Sequence, residues 1–180
     1  MPTAHELQEQ GVRLFDEHDF EAAARTFQEA KDAYAAAGQE DMVAEMKVNI
    51  GLVHRSLNEF QQALELMQEA LRTFQEKGDK LRTAQVLGNL GGVYSGLNDK
   101  EQALSSYRQS ADLFLELDEK AMYAETLMAI GQSHIRDWKF FEGAAYYQLA
   151  MEHKKDLSGT QKIIKRLSNL IASLSGVRIG

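Results

Sequence analysis

The chain has no cysteine and only one proline, Pro2, among its 180 residues. Without cysteine it has no disulfide, no thiolate zinc site and no cysteine nucleophile, which fits a reducing compartment. With proline confined to the start, the interior is free to form long helices. No apolar run approaches about 18 residues, and no secretory signal pattern opens the chain. We therefore expect a soluble, cytoplasmic protein without a membrane partner.

Basic residues are outnumbered, with 20 Lys and Arg against 27 Asp and Glu, for a net charge of −7. Nucleic acid is therefore not an expected partner, because phosphate binding needs clustered Lys and Arg. The charge is uneven: residues 151–180 carry a net charge of +4, and residues 1–150 carry −11. This basic end is either a solvated surface or a docking site for an acidic one.

The sequence repeats itself every 40 residues in five columns. One column holds glycine: Gly11, Gly51, Gly91 and Gly131. Seven residues earlier stands alanine: Ala4, Ala44, Ala84 and Ala124. Twelve residues after the glycine stands a small residue: Ala23, Ala63, Ala103 and Gly143. Four further stands a bulky one: Phe27, Met67, Tyr107 and Tyr147. Three further again stands a small one: Ala30, Ala70, Ser110 and Ala150. We expect the small columns where two helices of a hairpin meet, and the bulky column between one hairpin and the next.

This pattern of L-G-x2-Y, then A-x3-F, then A, resembles the tetratricopeptide repeat. The forty-residue period is similar to the longer repeats of Pins-type adaptors, kinesin light chains and Rap-type regulators. The resemblance implies an all-α fold, a right-handed α-α superhelix of four helix hairpins. We expect these four repeats at about 3–38, 40–78, 80–118 and 120–157.

Apolar spacing and polar breaks predict helices near 3–17, 20–36, 40–57, 60–77, 80–97, 100–117, 119–137 and 140–156. Thr3 with Glu6, and Asn98 with Glu101, have the spacing of capping boxes. Residues 158–176 carry an apolar stripe in the forty-residue register, with Ile171 where the glycine would stand. We expect a C-terminal capping helix there, followed by a tail at 177–180, since a terminal repeat needs a polar outer face. A membrane-surface or partner helix is the alternative.

The resemblance also implies that the first helix of each repeat lines a concave groove. The residues expected to bind a peptide there are Val48, Asn49, Leu52, Gln85, Gly88, Asn89, Gly92, Gly96, Met128, Gln132 and Arg136.

Two features of this groove are distinctive. Asn49 and Asn89 share one column, and an amide can pair with the donor and acceptor of any peptide unit. The alternative is a hydrogen bond within the protein. Gly88, Gly92 and Gly96 form a stripe, although each glycine inside a helix costs about 1 kcal/mol relative to alanine. The stripe is a smooth floor for a ligand, the mark of a mobile helix, or the site of close approach by another helix of the chain.

No catalytic or cofactor site is expected. His54 and His134 share a column where two helices of a hairpin meet, which favours packed histidines with satisfied ring nitrogens. They lie two repeats apart, too far to share a metal ion. The serines lack a histidine partner, and the glycines at 88–92 follow no strand.

The leading hypothesis is therefore a protein- or peptide-binding scaffold or adaptor without catalysis. Its ligand would be an extended segment or an amphipathic helix. The alternatives are a self-assembling module that forms a homo-oligomer, and a peptide-sensing fragment of a larger regulator.

Overall fold

The computed structural model describes residues 2–153, 159, 162–163, 166–167 and 169–170, and these residues contain helices and turns but no strand. The helices are α1 (Ala4–Asp16), α2 (Phe20–Ala36), α3 (Glu40–Ser56), α4 (Phe60–Glu76), α5 (Lys80–Gly96), α6 (Lys100–Glu116), α7 (Lys120–Arg136) and α8 (Phe140–His153). The all-α prediction is confirmed, and the ends of α1 to α7 agree with the expected ends within one residue.

Three-residue turns of one form connect the helices. The middle residue of each turn has φ between 56° and 69°, in the left-handed region. These residues follow one another at intervals of 20: His18, Gly38, Asn58, Gly78, Asn98, Asp118 and Trp138. The left-handed residue bends the chain back, so that the next N–H bonds to the end of the preceding helix. In the turn after α5, the Asp99 N–H donates to the Tyr94 carbonyl at 2.9 Å.

The two expected capping boxes have different outcomes. At α1, the Thr3 hydroxyl accepts from the Glu6 N–H, and the Glu6 carboxylate accepts from the Thr3 N–H. The expectation for Asn98 is wrong, because Asn98 has φ 60° and lies inside the turn, one residue too early to cap α6. Asparagine suits that position because it tolerates the left-handed conformation.

The repeated glycine column marks where the two helices of a hairpin touch. A Cβ at Gly11 would lie 2.6 Å from the Phe27 ring, which is closer than real side chains approach. The same pairing recurs in Gly51 with Met67 and in Gly131 with Tyr147. The bulky column therefore packs on the glycine of its own hairpin, which corrects the expectation that it fills the space between hairpins.

The chain divides into two compact units, Met1–Asp99 and Lys100–Gly180. In the first unit, each of the helices α1 to α5 packs against the next. In the second unit, α6 packs on α7 and α7 on α8. This consecutive packing is typical of a helical solenoid. The bounds of the four repeats stay a prediction.

The small columns lie at the centres of the helix contacts. In the first unit Ala23, Ala30, Ala63 and Ala70 are fully buried, and in the second unit Ser110 and Ala150 are too. Any larger side chain at these positions would separate the helices.

Most of the expected capping helix and the whole of the expected tail lie outside the described residues. Lys162, Ile163, Arg166 and Leu167 are among the described ones, where they are helical and exposed. The capping role of this segment stays a prediction.

Candidate functional site

A cavity of about 520 Å³ lies in the first unit, between α3 and α5. Its lining residues are Glu45, Val48, Asn49, Leu52, Phe74, Arg82, Gln85, Val86 and Asn89. The structure thus brings together five of the residues expected to bind a peptide: Val48, Asn49, Leu52, Gln85 and Asn89. The forty-residue repeat explains this, because Asn49 and Asn89 hold the same place on two helices that pack side by side.

The deep side of the cavity is apolar. Phe74 and Val86 are buried and belong to the apolar cluster between α4 and α5. Val48 and Leu52 pack against the same cluster but stay partly exposed. The cavity therefore offers an apolar floor to a ligand side chain, since covering such surface is favourable.

The two asparagines are in different states. Asn49 makes no side-chain hydrogen bond to any of the described residues and is partly exposed, so its amide donors and acceptor are available. The Oδ1 atom of Asn89 accepts a long hydrogen bond of 3.4 Å from Arg55 Nη1. A hydrogen bond within the protein, the alternative to ligand binding, is therefore present at the amide oxygen of Asn89 and absent at Asn49 among the described residues.

A chain of hydrogen bonds connects α2, α1 and α3 at one end of the cavity. The Tyr34 hydroxyl donates to Gln8 Oε1 at 2.7 Å. Gln8 Nε2 in turn donates to Glu45 Oε1 at 2.8 Å. Burial raises the pKa of Tyr34 above its usual range, and the charge of Glu45 raises it further. The pairing holds the Glu45 carboxylate in place beside the cavity.

Arg82 was not expected at the site, although it lines the cavity. Its Nε atom lies 2.8 Å from Asp79 Oδ2. Its Nη1 atom lies 3.5 Å from Asp41 Oδ2 and 3.7 Å from Glu45 Oε2. Its guanidinium also lies 5.2 Å from the centre of the Phe74 ring, within range of a cation–π contact.

These contacts pair the positive charge of Arg82 with carboxylates of the protein itself. Its Nη1 atom is buried and has no hydrogen bond of good geometry in the described part of the chain. The only sequence signal for this position was the acidic residue three places earlier, which caps α5 by accepting from the Arg82 N–H. We therefore assign Arg82 to the wall of the cavity rather than to ligand binding.

The glycine stripe of α5 separates into two parts. Gly88 and Gly92 are partly exposed and do not line the cavity. A Cβ at Gly96 would lie 2.5 Å from Cδ1 of the Phe60 ring. Close approach by another helix of the chain, the alternative that the sequence left open, therefore accounts for Gly96.

The remaining expected site residues, Met128, Gln132 and Arg136, lie on α7 in the second unit. Met128 is partly buried and packs against the apolar cluster of α7 and α8. Gln132 and Arg136 are exposed. Their part in ligand binding stays a prediction.

The two histidines of the shared column differ. His54 Nδ1 lies 2.6 Å from a Glu59 carboxylate oxygen. His134 is buried and stacks on Tyr146, with ring centres 5.2 Å apart. Its Nε2 atom has no hydrogen-bond partner among the described residues, so the expectation of a satisfied ring is wrong there. Burial lowers the pKa of His134 below its usual value.

Two kinds of feature are absent from the described residues. No group of three His, Asp or Glu side chains there is arranged to hold a metal ion. None of the described helices is both long enough and apolar enough to cross a bilayer.

Residues 42–116 match the family model described as tetratricopeptide repeat. The crystal structure of BtubC (BKLC) from P. vanneervenii is similar to the chain, with a TM-score of 0.70 and 20% sequence identity. The alignment covers 98% of this chain and 66% of that one, and at this identity it bears on the fold alone. No curated protein matches the sequence.

Proposed function

Because the chain is a tetratricopeptide-repeat protein, we propose that the cavity of its first unit binds a segment of another polypeptide. Repeats of this family generally mediate protein–protein interactions, and the proposed role is that of a scaffold or adaptor without catalysis. The observation that carries the proposal is the free amide of Asn49 beside the partly exposed side chains of Val48 and Leu52.

An extended segment fits this arrangement better than an amphipathic helix. The backbone N–H and C=O groups of a helix are bonded to one another, whereas those of an extended segment are free to pair. The Asn49 amide can accept from one such N–H and donate to a nearby C=O. An apolar side chain of the ligand would then lie on the floor made by Phe74 and Val86.

The charge of the first unit selects the kind of ligand. Residues 1–99 contain 9 Lys and Arg and 17 Asp and Glu, a net charge of −8. Such a field attracts a basic segment and raises its association rate. The proposed ligand is therefore an extended, basic segment with at least one large apolar side chain. Given the lack of cysteine, the proposed location is the cytoplasm.

A selection from a random peptide display library tests the proposal. We expect the wild-type protein to enrich basic peptides with an apolar anchor. The Asn49→Ala/Asn89→Ala variant should bind them roughly 30-fold more weakly, for two lost hydrogen bonds of about 1 kcal/mol each. Gln62→Ala is the matched control, because it removes an exposed amide from α4, outside the cavity. Equal binding of the enriched peptides by all three proteins would refute the assignment.

Self-assembly is a second candidate, which the exposure of Ile163 and Leu167 in the basic C-terminal part favours. In that case the first unit of one copy would take the C-terminal segment of another. Light scattering would then show a concentration-dependent dimer that disappears when residues 158–180 are removed.

A further inference from the structure

The turn between α7 and α8 differs from its counterparts in the other repeats. Its left-handed residue is Trp138, with φ 63°, and the Trp138 side chain is 81% exposed. The same place in the other repeats holds His18, Asn58 and Asn98, all polar residues. A bulky residue in this conformation is uncommon, and the fold does not require it here.

A second aromatic residue, at the start of α8, also replaces polar ones. Phe141 is 50% exposed, where the other repeats have Glu21, Gln61 and Glu101. Phe140 lies between them in sequence, is 49% exposed, and contacts the Trp138 ring edge-on with centres 5.7 Å apart. All three side chains are exposed, and we call these three residues the aromatic tip.

The charge beside the aromatic tip is more positive than in the other repeats. Lys139 stands where they have an acid (Asp19, Glu59 and Asp99), and exposed Arg136 stands where they have Asp16, Ser56 and Gly96. The one acid of the turn, Asp137, is paired with Lys100. Glu142 on α8 remains as a nearby negative charge. The tip is thus locally basic on a chain whose net charge is −7.

The size of the aromatic tip limits what can cover it. Three aromatic side chains of 150–250 Å² each, at these exposures, present about 350 Å² of apolar surface. That is less than half of the roughly 800 Å² that each partner buries in a standard protein–protein interface. A lipid surface needs no such area, because tryptophan and phenylalanine enter the headgroup region while flanking Lys and Arg contact anionic lipids.

From the added positive charge and the exposed rings, we propose that the aromatic tip binds an anionic lipid surface. Trp138, Phe140 and Phe141 enter the interface, and Arg136 and Lys139 contact the lipid phosphates and carboxylates. The sequence expectation of no membrane partner rested on the lack of a spanning segment, which a peripheral contact does not need. This interaction is separate from the cavity of the first unit, and its failure would leave the proposed peptide binding intact.

Trp138 is the only tryptophan of the chain and therefore reports directly on its own burial. The experiment mixes the full chain with vesicles of phosphatidylcholine alone, or of equimolar phosphatidylcholine and phosphatidylserine. We expect a blue shift of Trp138 emission, and cosedimentation, with the anionic vesicles only. High salt should weaken both, because the attraction is partly electrostatic.

The internal repeat supplies variants that keep the fold. Trp138→Asn and Phe141→Gln introduce the residue types that the second repeat has at the same places, Asn58 and Gln61. Each substitution should weaken cosedimentation about tenfold. Arg136→Ser with Lys139→Glu should weaken it about thirtyfold, because two cations are lost. The control is Leu115→Gln, which removes a 54% exposed apolar side chain outside the tip and matches Gln75 of the second repeat. It should cosediment like the wild type.

Two results would overturn the proposal. In the first, Trp138 emission and cosedimentation do not change with anionic vesicles, or change equally with neutral ones. In the second, the blue shift appears on raising the protein concentration without lipid, which would assign the tip to contact with a second copy of the chain.

Discussion

Replacing Gly96 by alanine tests whether this glycine serves packing or ligand binding. Gly96 is the last residue of α5, and the Phe60 ring of α4 lies over it. An added Cβ would lie 2.5 Å from Cδ1 of that ring, well inside van der Waals contact. The backbone at this position is helical, so the substitution changes the contact without straining the chain.

The magnitude follows from two opposed effects. Alanine favours the helix by up to about 1 kcal/mol relative to glycine, and less at a helix end. Relief of the clash requires the Phe60 ring to move outward, and forcing an extra group into a packed contact costs about 1–3 kcal/mol. We therefore expect Gly96→Ala to lower the free energy of unfolding by about 1–2 kcal/mol.

Urea unfolding followed by far-UV circular dichroism measures this effect, and a double-mutant cycle with Phe60→Ala isolates its cause. Without the ring, Gly96→Ala should be neutral or slightly stabilising. If Gly96→Ala destabilises equally in both backgrounds, Phe60 is not the reason for the glycine. If it leaves stability unchanged but abolishes peptide binding, Gly96 belongs to a ligand floor instead.

Three further predictions concern stability. His134 has a folded-state pKa below its unfolded value near 6.5. The unfolded state therefore binds more protons between the folded-state pKa and about pH 6.5. As pH falls through that window, stability should fall by up to about 1.4 kcal/mol per pH unit, and His134→Tyr should lack this part of the pH dependence. Trp138→Gly should raise stability by about 1 kcal/mol in urea unfolding, because glycine adopts the left-handed conformation freely, and no gain would mean that Trp138 is unstrained. Arg82→Met should cost about 1–2 kcal/mol, because it removes the positive charge that pairs with the Asp79 and Glu45 carboxylates, and an unchanged midpoint would contradict this.

The helices were predictable because their signal is repeated. Columns that recur every 40 residues reveal which faces of the helices are buried, even where one copy is ambiguous. Asn49 and Asn89 were found in this way, since equal register places them on neighbouring helices. The same regularity predicted the places of the turns.

Sequence reasoning misassigned Asn98 and did not find the contacts of Arg82 and Gly96. These depend on the exact end of a helix and on contacts between helices. Asparagine is common both in the left-handed conformation and at helix N-caps. Only the residue at which α6 begins decides which of these two roles Asn98 has. Arg82 lies in the cavity wall because it pairs with three carboxylates, two on α3 and one in the turn before α5. Gly96 is explained by its contact with the Phe60 ring, which lies 36 residues earlier in the chain and outside every repeated column.

Photo-crosslinking tests the central claim, peptide binding in the cavity of the first unit, most directly. A benzophenone amino acid would replace Leu52 in the cavity or, as the control, Gln62 on the outside of α4. Under light, a peptide enriched by the wild-type protein should become attached to the chain labelled at 52 and not to the chain labelled at 62. Attachment at 62 alone, or at both positions equally, would contradict the account.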